Sequence, residues 1–210
     1  MSEVGDSSHS PEFAGSRGWS ERYRSGETPW DQGGAHPELV RRLAAGELAP
    51  SGSGRALVGG AGRGHDALAL ARAGWRVTAV DFAEGLPPSV DEALAAAQSR
   101  FLRADALALQ DDPFDLVFEH TFFCALDPAD RPRWGAMVRR LTPPDARVVA
   151  VAFPADKPRS EGGPPHRTAS EDLAAALGDD FERTLDVPCV ARCEGRAWEE
   201  RWVEFRRLNR

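Results

Sequence analysis

A chain of 210 residues with 41% hydrophobic content is long enough for one well-buried core and too short for two ordinary domains. Its formal net charge of −7, with acidic and basic residues interspersed, argues against a phosphate-tracking surface, so nucleic acid is not an expected partner. No apolar run approaches the roughly 20 residues needed to cross a bilayer, and the polar N-terminus lacks an apolar signal region, so a cytoplasmic protein away from membranes is expected.

Residues 1–16 are rich in Ser, Gly and Glu and are expected to lack order, with a single domain over 17–210 whose first part, about 17–50, forms a helical cap. A short helix around Trp19 to Arg24 leads into a glycine-rich loop, Gly26 to Gly34, and a second helix begins near Pro37 with Leu39, Val40 and Leu43 on one face. Trp19, Tyr23 and Trp30 are candidates for an aromatic wall, a surface that favours cationic groups such as a sulfonium, although aromatics at this spacing also serve as simple core.

Arg55 to Asp81 narrow the function more than any other stretch. A short apolar strand, Ala56-Leu57-Val58, runs into Gly59-Gly60-Ala61-Gly62-Arg63-Gly64, then a helix, a strand ending at Val80, and Asp81. Glycines at 60, 62 and 64 let the backbone pass close under a ligand, and the helix that follows presents its first N–H groups there. An acid ending the next strand can take both hydroxyls of a ribose. The dinucleotide pattern G-x-G-x-x-G fails at its last position, His65, whereas spacing at i, i+2 and i+4 is typical of S-adenosylmethionine (SAM) enzymes. SAM is therefore expected rather than NAD, with Phe82 beside the ribose acid.

Helix Ser89 to Gln98 and a strand near Phe101-Leu102 come next. Asp105, just past that strand, is a candidate to accept the exocyclic amine of adenine, with Ala106 N–H completing the base contact. Strand Phe114 to Phe118 ends in Glu119-His120-Thr121-Phe122-Phe123, and the carboxyl ends of central strands open onto the ligand crevice in a doubly wound sheet. Glu119, His120 and Phe123 are accordingly expected at the site, with His120 as the candidate base for an acceptor that must lose a proton. Helix Ala129 to Leu141, strand Arg147 to Phe153 and helix Ser170 to Leu177 continue the alternation. Gly162-Gly163-Pro164-Pro165-His166 has the form of a lid over the crevice, and His166 is a candidate substrate contact.

Phe181 to Val187 and Arg201 to Leu208 read as two strands with no helix between them. An α/β class I SAM methyltransferase (Rossmann-like) fold is expected: a doubly wound, mostly parallel seven-stranded sheet with an antiparallel C-terminal hairpin. Cys124, Cys189 and Cys193 form an odd set suited to a reducing compartment, and no second pair of ligands accompanies Cys189 and Cys193, so no metal is expected.

Several segments in order carry a resemblance: Gly18-Trp19, Tyr23, Thr28-Pro29-Trp30-Asp31-Gln32-Gly33, Gly62-Arg63-Gly64-His65-Asp66, Phe122-Phe123-Cys124-Ala125, Arg131-Pro132, Gly162-Gly163-Pro164-Pro165, and Gly195-Arg196 with Arg201-Trp202. Together they resemble the thiopurine methyltransferase-like superfamily, closest to its halide/thiol methyltransferases. The resemblance implies SAM-dependent methyl transfer to a small soft nucleophile: a halide, thiocyanate, hydrosulfide or a small thiol. It also implies that Trp19, Tyr23 and Trp30 line cofactor and substrate, that Gly60, Gly62 and Gly64 are the SAM glycines, and that Asp81 and Asp105 hold ribose and adenine. The turn departs from the family's Pro-Gly-Cys-Gly, and His166 stands where an aromatic residue follows the prolines. An O- or N-methyltransferase of a small aromatic metabolite and a non-catalytic SAM-binding module remain open alternatives, as does a monomeric or dimeric state. The almost exclusive use of arginine, with Lys157 the only lysine, suggests a GC-rich bacterial genome.

Overall fold

Strands that are apolar on both faces must be covered on both sides. The computed structural model describes residues 15–84 and 89–209, so most of the expected 1–16 tail, and the stretch 85–88 shortly after Asp81, lie outside the described residues. Strands β1 (Arg55–Gly59), β2 (Arg76–Asp81), β3 (Arg100–Arg103), β4 (Leu116–His120) and β5 (Arg147–Ala152) run parallel. β6 (Phe181–Pro188) and β7 (Arg201–Arg207) pair antiparallel, and β7 inserts beside β5 to give the order β3-β2-β1-β4-β5-β7-β6. This is the doubly wound α/β sheet with an antiparallel ending that the sequence predicts.

Helices α1 (Gly15–Ser25) and α2 (Pro37–Ala44) precede the sheet, and α3 (His65–Arg72), α4 (Ser89–Ala96), α5 (Arg131–Leu141) and α6 (Ser170–Leu177) cover it. Side-chain alternation along the strands sorts the core into two layers. Leu57, Val80, Val117 and Val148 pack with Trp134, Val138 and Leu173 of α5 and α6. Val58, Leu116, Phe118 and Val149 pack on the opposite face with Leu39, Leu70 and Leu94 of α2, α3 and α4. Among the described residues no helix is long and apolar enough to cross a membrane.

Of the boundaries that differ from expectation, those of the fourth strand and of α5 have a clear local cause, and the first matters for the site. The fourth strand covers residues 116–120 rather than 114–118, because Phe114 N–H is drawn to Leu141 O at the end of α5 (2.7 Å) and the ladder with β1 starts at Leu116. Glu119 and His120 are thus its last two positions, and successive strand residues point to opposite faces. α5 starts at Arg131 rather than Ala129, since Asp127 caps a separate turn at Pro128–Asp130 by accepting Ala129 N–H.

α5 and α6 approach backbone to backbone at Gly135, where an added Cβ would overlap the carbonyl oxygen of Ala176. Alanine is the better helix former by about 1 kcal/mol, but forcing two packed helices apart costs typically 1–3 kcal/mol and here involves rigid backbone. Gly135→Ala is therefore expected to lower the thermal midpoint by several degrees, measured by circular dichroism; an unchanged or raised midpoint would contradict this packing.

Candidate active site

Strand order reverses at β1, with β2 on one side and β4 on the other, and the crevice this leaves lies beyond the carboxyl ends of the strands. A cavity of about 370 Å³ occupies that position. The glycine turn forms its floor, stitched to the end of β2: Ala61 N–H donates to Val80 O (3.1 Å) and Gly62 N–H to Asp81 Oδ2 (2.8 Å). Asp81 Oδ1 accepts Ala83 N–H at 2.8 Å, so each carboxylate oxygen is oriented by one backbone donor and keeps further lone-pair capacity. Burial raises the Asp81 pKa above its usual value, against the pull of these donors.

The glycines serve a different steric need from the expected one. At Gly60 φ is +59°, and an added Cβ would lie 2.5 Å from the Phe122 ring; at Gly62 it would lie 2.6 Å from the Tyr23 hydroxyl. The absent side chains make room for aromatic residues that wall the cavity. Phe122 reaches this place because Thr121 turns the chain out of β4 at φ +64°, an uncommon conformation for a β-branched residue. Its hydroxyl donates to His120 O at 2.7 Å.

Trp19, Tyr23 and Trp30 all reach the cavity wall. Trp30 Nε1–H donates to the Tyr23 hydroxyl (3.2 Å), and Trp19 meets Trp30 edge to face with centroids 5.2 Å apart. Burial, aided by the Asp81 charge, pushes the Tyr23 pKa up to about 12, so it remains a phenol. This cap is latched to the glycine turn by Asp31, whose carboxylate lies 2.6 Å from Arg63 Nε and 3.2 Å from His65 Nε2.

Gly60, Gly62, Asp81, Phe82, Ala106 and His120 also line the cavity. Other predicted site residues do not. Gly64 caps α3 in a left-handed conformation and leaves room for Val90 of α4. Asp105 is exposed between the cavity-lining Ala104 and Ala106, accepts Leu107 N–H (2.9 Å) and lies 3.8 Å from Arg133. Phe123 is fully buried in the core, edge-on to Trp134 at 4.9 Å, so it cannot contact a substrate. Glu119 points to that same layer, away from His120, and its Oε1 accepts Phe122 N–H (3.0 Å) and Phe123 N–H (2.8 Å). It shapes the turn after β4 rather than touching a ligand. Burial pushes its pKa up to about 8 despite these donors. His166 sits behind Pro164 and Pro165, which reach the wall, and its N–H donates to Cys124 O at 2.7 Å.

His120 is buried within a polar chain. Nδ1 lies 2.8 Å from Asp66 Oδ2 and Nε2 lies 3.1 Å from Arg196 Nη1. Asp66, in the first turn of α3, also accepts His36 N–H at 2.8 Å. Arg196 Nη1 donates to Glu200 Oε1 (2.8 Å), and its guanidinium stacks 4.3 Å from the Phe153 ring centre. Arg196 lines the cavity with its side chain 7% exposed, and its Nη2 is buried without a hydrogen-bond partner. Burial alone would raise the Glu200 pKa, but His36, Cys193 N–H and Arg196 outweigh it and hold the carboxyl at about 2. His36, His120 and Cys193 bring possible metal-ligand atoms within 4.8 Å of one another. Their lone pairs are committed otherwise: His36 Nδ1 accepts Glu38 N–H, which leaves its proton on Nε2, and His120 Nε2 faces a guanidinium.

Asp31, Asp66 and Arg196 received no role from the sequence. An acid in a first helical turn reads as an ordinary dipole partner. Arg196 stands in one of the segments that carry the family resemblance, but far along the chain from the glycine-rich loop, and nothing local shows that it meets His120.

Residues 14–187 match the model of the thiopurine S-methyltransferase family. Thiocyanate methyltransferase 1 of Brassica oleracea is 32% identical over 204 residues, covering 93% of this chain and 88% of that protein. A probable thiol methyltransferase 2 of Arabidopsis thaliana is 31% identical, covering 77% of this chain and 72% of that protein. Among solved structures, the 1,6-didemethyltoxoflavin-N1-methyltransferase of Burkholderia thailandensis superposes with a TM-score of 0.74 at 19% identity, covering 100% of this chain and 94% of that one. The magnesium protoporphyrin IX methyltransferase of Synechocystis gives 0.61 at 20%, covering 80% and 76%.

Two measurements check this geometry. Asp31→Ala is expected to speed hydrogen exchange across residues 26–34 without changing that of β1, whereas unchanged exchange would mean the latch holds nothing. Glu119, protonated in the fold up to about pH 8 but ionised above about 4.5 when unfolded, lends stability that is full below the lower value and lost as pH rises to the upper one. Glu119→Gln should therefore flatten the decline of thermal stability between those values; a parallel decline in wild type and variant would assign it elsewhere.

Proposed function

The chain belongs to the thiopurine S-methyltransferase family, and on that premise we propose that this methyltransferase acts on a small soft anion such as thiocyanate, hydrosulfide, a halide or a small thiolate. Its cofactor is S-adenosylmethionine, which supplies an electrophilic methyl group on a sulfonium. The cavity suits it in volume, near the lower end of the range typical of small-molecule sites. Its donors and acceptors suit it as well: Asp81 retains lone pairs for ribose hydroxyls, Phe82 and Ala106 offer apolar contact to a flat base, and Asp105 stands next to Ala106. The faces of Trp19, Tyr23 and Trp30 favour a cationic sulfur.

The observation that carries the acceptor reading is Arg196, a guanidinium side chain 7% exposed that lines the cavity. Hydrogen bonds from a cation to an anion are roughly twice as strong as neutral ones, so an anion in the cavity gains from a guanidinium on its wall. Phe122, Leu126, Phe153 and Pro164 surround the space with apolar surface. Such walls strip water from an anion, and soft, weakly hydrated anions lose least by it. No base is needed for a nucleophile that is already deprotonated, and the protein's task reduces to holding the acceptor in line and dry. Positioning of this kind is worth on the order of 7–11 kcal/mol in favourable cases. The names of the plant relatives, thiocyanate and thiol methyltransferases, support the same acceptor class.

A methyl-transfer screen with thiocyanate, iodide, bromide, hydrosulfide, small thiols and phenols, read by gas chromatography, should find turnover among the soft anions and little with phenols. Turnover confined to phenols or amines would overturn the acceptor assignment. Arg196→Met is expected to raise KM for thiocyanate about tenfold or more while leaving SAM affinity nearly unchanged. Asp81→Ala should weaken SAM binding by roughly 1–3 kcal/mol in calorimetric titration; unchanged affinity would remove the ribose assignment.

A further inference from the structure

The protons around His120 can be assigned from its neighbours. A guanidinium has only N–H donors, so the 3.1 Å contact from Arg196 Nη1 makes His120 Nε2 the acceptor. The proton of the neutral ring then sits on Nδ1 and is donated to Asp66 Oδ2 at 2.8 Å. Both nitrogens are engaged, and neither offers a lone pair to a substrate proton. This conflicts with the expectation that His120 acts as a base.

We propose that His120 is a positioning residue for Arg196: oriented by Asp66, its imidazole holds Nη1 so that the guanidinium is kept at the cavity wall for the acceptor anion, and protonation of the ring releases the arginine. The inference rests on the anionic-acceptor reading above. Three contacts fix the plane of the guanidinium: Glu200 Oε1 and His120 Nε2 on the same nitrogen, and the Phe153 ring beneath. Glu200 alone sets a distance; the second contact sets the orientation of the guanidinium. A protonated His120 would turn an N–H toward Nη1, placing two cationic donors face to face.

The groups facing His120 are Asp66 from α3, His36 ahead of α2 (ring centroids 4.8 Å apart), and Arg196, Glu200 and Cys193 from the segment between β6 and β7. Burial would raise the pKa values of both carboxyls, but the contacts of Asp66 and Glu200 hold them below their ordinary values, and burial pushes the Cys193 thiol up to about 12. Burial, joined by the charges of His36 and Arg196, lowers the His120 pKa against the pull of Asp66. The ring is therefore neutral at neutral pH, and the hold on Arg196 is lost only as pH falls through that lowered value.

The test uses iodide and thiocyanate, which stay anionic throughout, so a base contributes nothing to their methylation. For wild type, KM for iodide should be flat near neutral pH and climb toward about tenfold per pH unit on the acid side, as single-proton competition requires, with kcat and SAM affinity nearly constant. His120→Gln keeps an acceptor for Nη1 without a titrating group, and should retain a low KM that stays flat into acid. His120→Ala should raise KM about tenfold at every pH with SAM binding and the circular-dichroism spectrum retained, although its thermal midpoint falls, which separates lost positioning from lost folding. An acid limb that persists in His120→Gln, or a fall in kcat rather than a rise in KM in His120→Ala, would overturn the role of His120. Wild-type protein that methylates none of the anions at any pH, yet turns over a neutral acceptor, would overturn the acceptor reading itself and this inference with it.

Discussion

Asp66, His120, Arg196, Glu200 and His36 share one space at the carboxyl end of β4, joined in series by hydrogen bonds and a 3.4 Å approach of His36 to Glu200. Removing one partner of a buried charged pair costs about 3–5 kcal/mol, because the survivor keeps its desolvation penalty. The chain of contacts therefore fastens four separate pieces together: the cap of α2, the start of α3, the end of β4, and the segment between β6 and β7. Sheet packing brings these pieces near one another; the polar chain sets their relative positions to within a hydrogen bond. Arg196, a member of this series, lines the cavity wall.

A second group of contacts does the same for the other half of the cavity. Phe122 fits under Gly60 because the turn carries no side chain there, and Thr121 takes the strained backbone conformation that delivers it. Asp31 then ties the aromatic cap to Arg63 and His65 on the far side of the same turn. Glu119 contributes from beneath by holding the amides of Phe122 and Phe123. The glycine turn accordingly joins three assemblies: Asp81 at the end of β2, the cap and the exit of β4. A change in any one of them is felt by the other two through contacts shorter than a side chain.

Much of the fold was legible because its signals are local and repeated. Apolar runs at Ala56 to Val58, Val77 to Val80 and Arg147 to Phe153 have the composition of strands covered on both faces, and helical spacing between them leaves little freedom in topology. The two C-terminal strands without a helix between them could pair only antiparallel, and β6 and β7 do. Asp81 and the glycine turn were legible for the same reason, as neighbours along one βαβ unit.

The site was legible only as far as such neighbourhood extends. Sequence order predicts Glu119, His120 and Phe123 together at the crevice; a two-residue shift of β4 and the alternation of its side chains send Glu119 to the opposite layer, and Phe123 lies buried there. Local pattern also allows His120 to be a base, since it says nothing of what faces the ring. The sequence by itself determined the sheet, the cofactor end of the crevice and the chemical class of the enzyme, because each depends on residues that interact within one supersecondary unit. Only the tertiary structure decided which side chains meet across the crevice, because Arg196, His120 and Asp66 come from separate elements, and hydrogen-bond direction among buried groups exists only once those elements are packed.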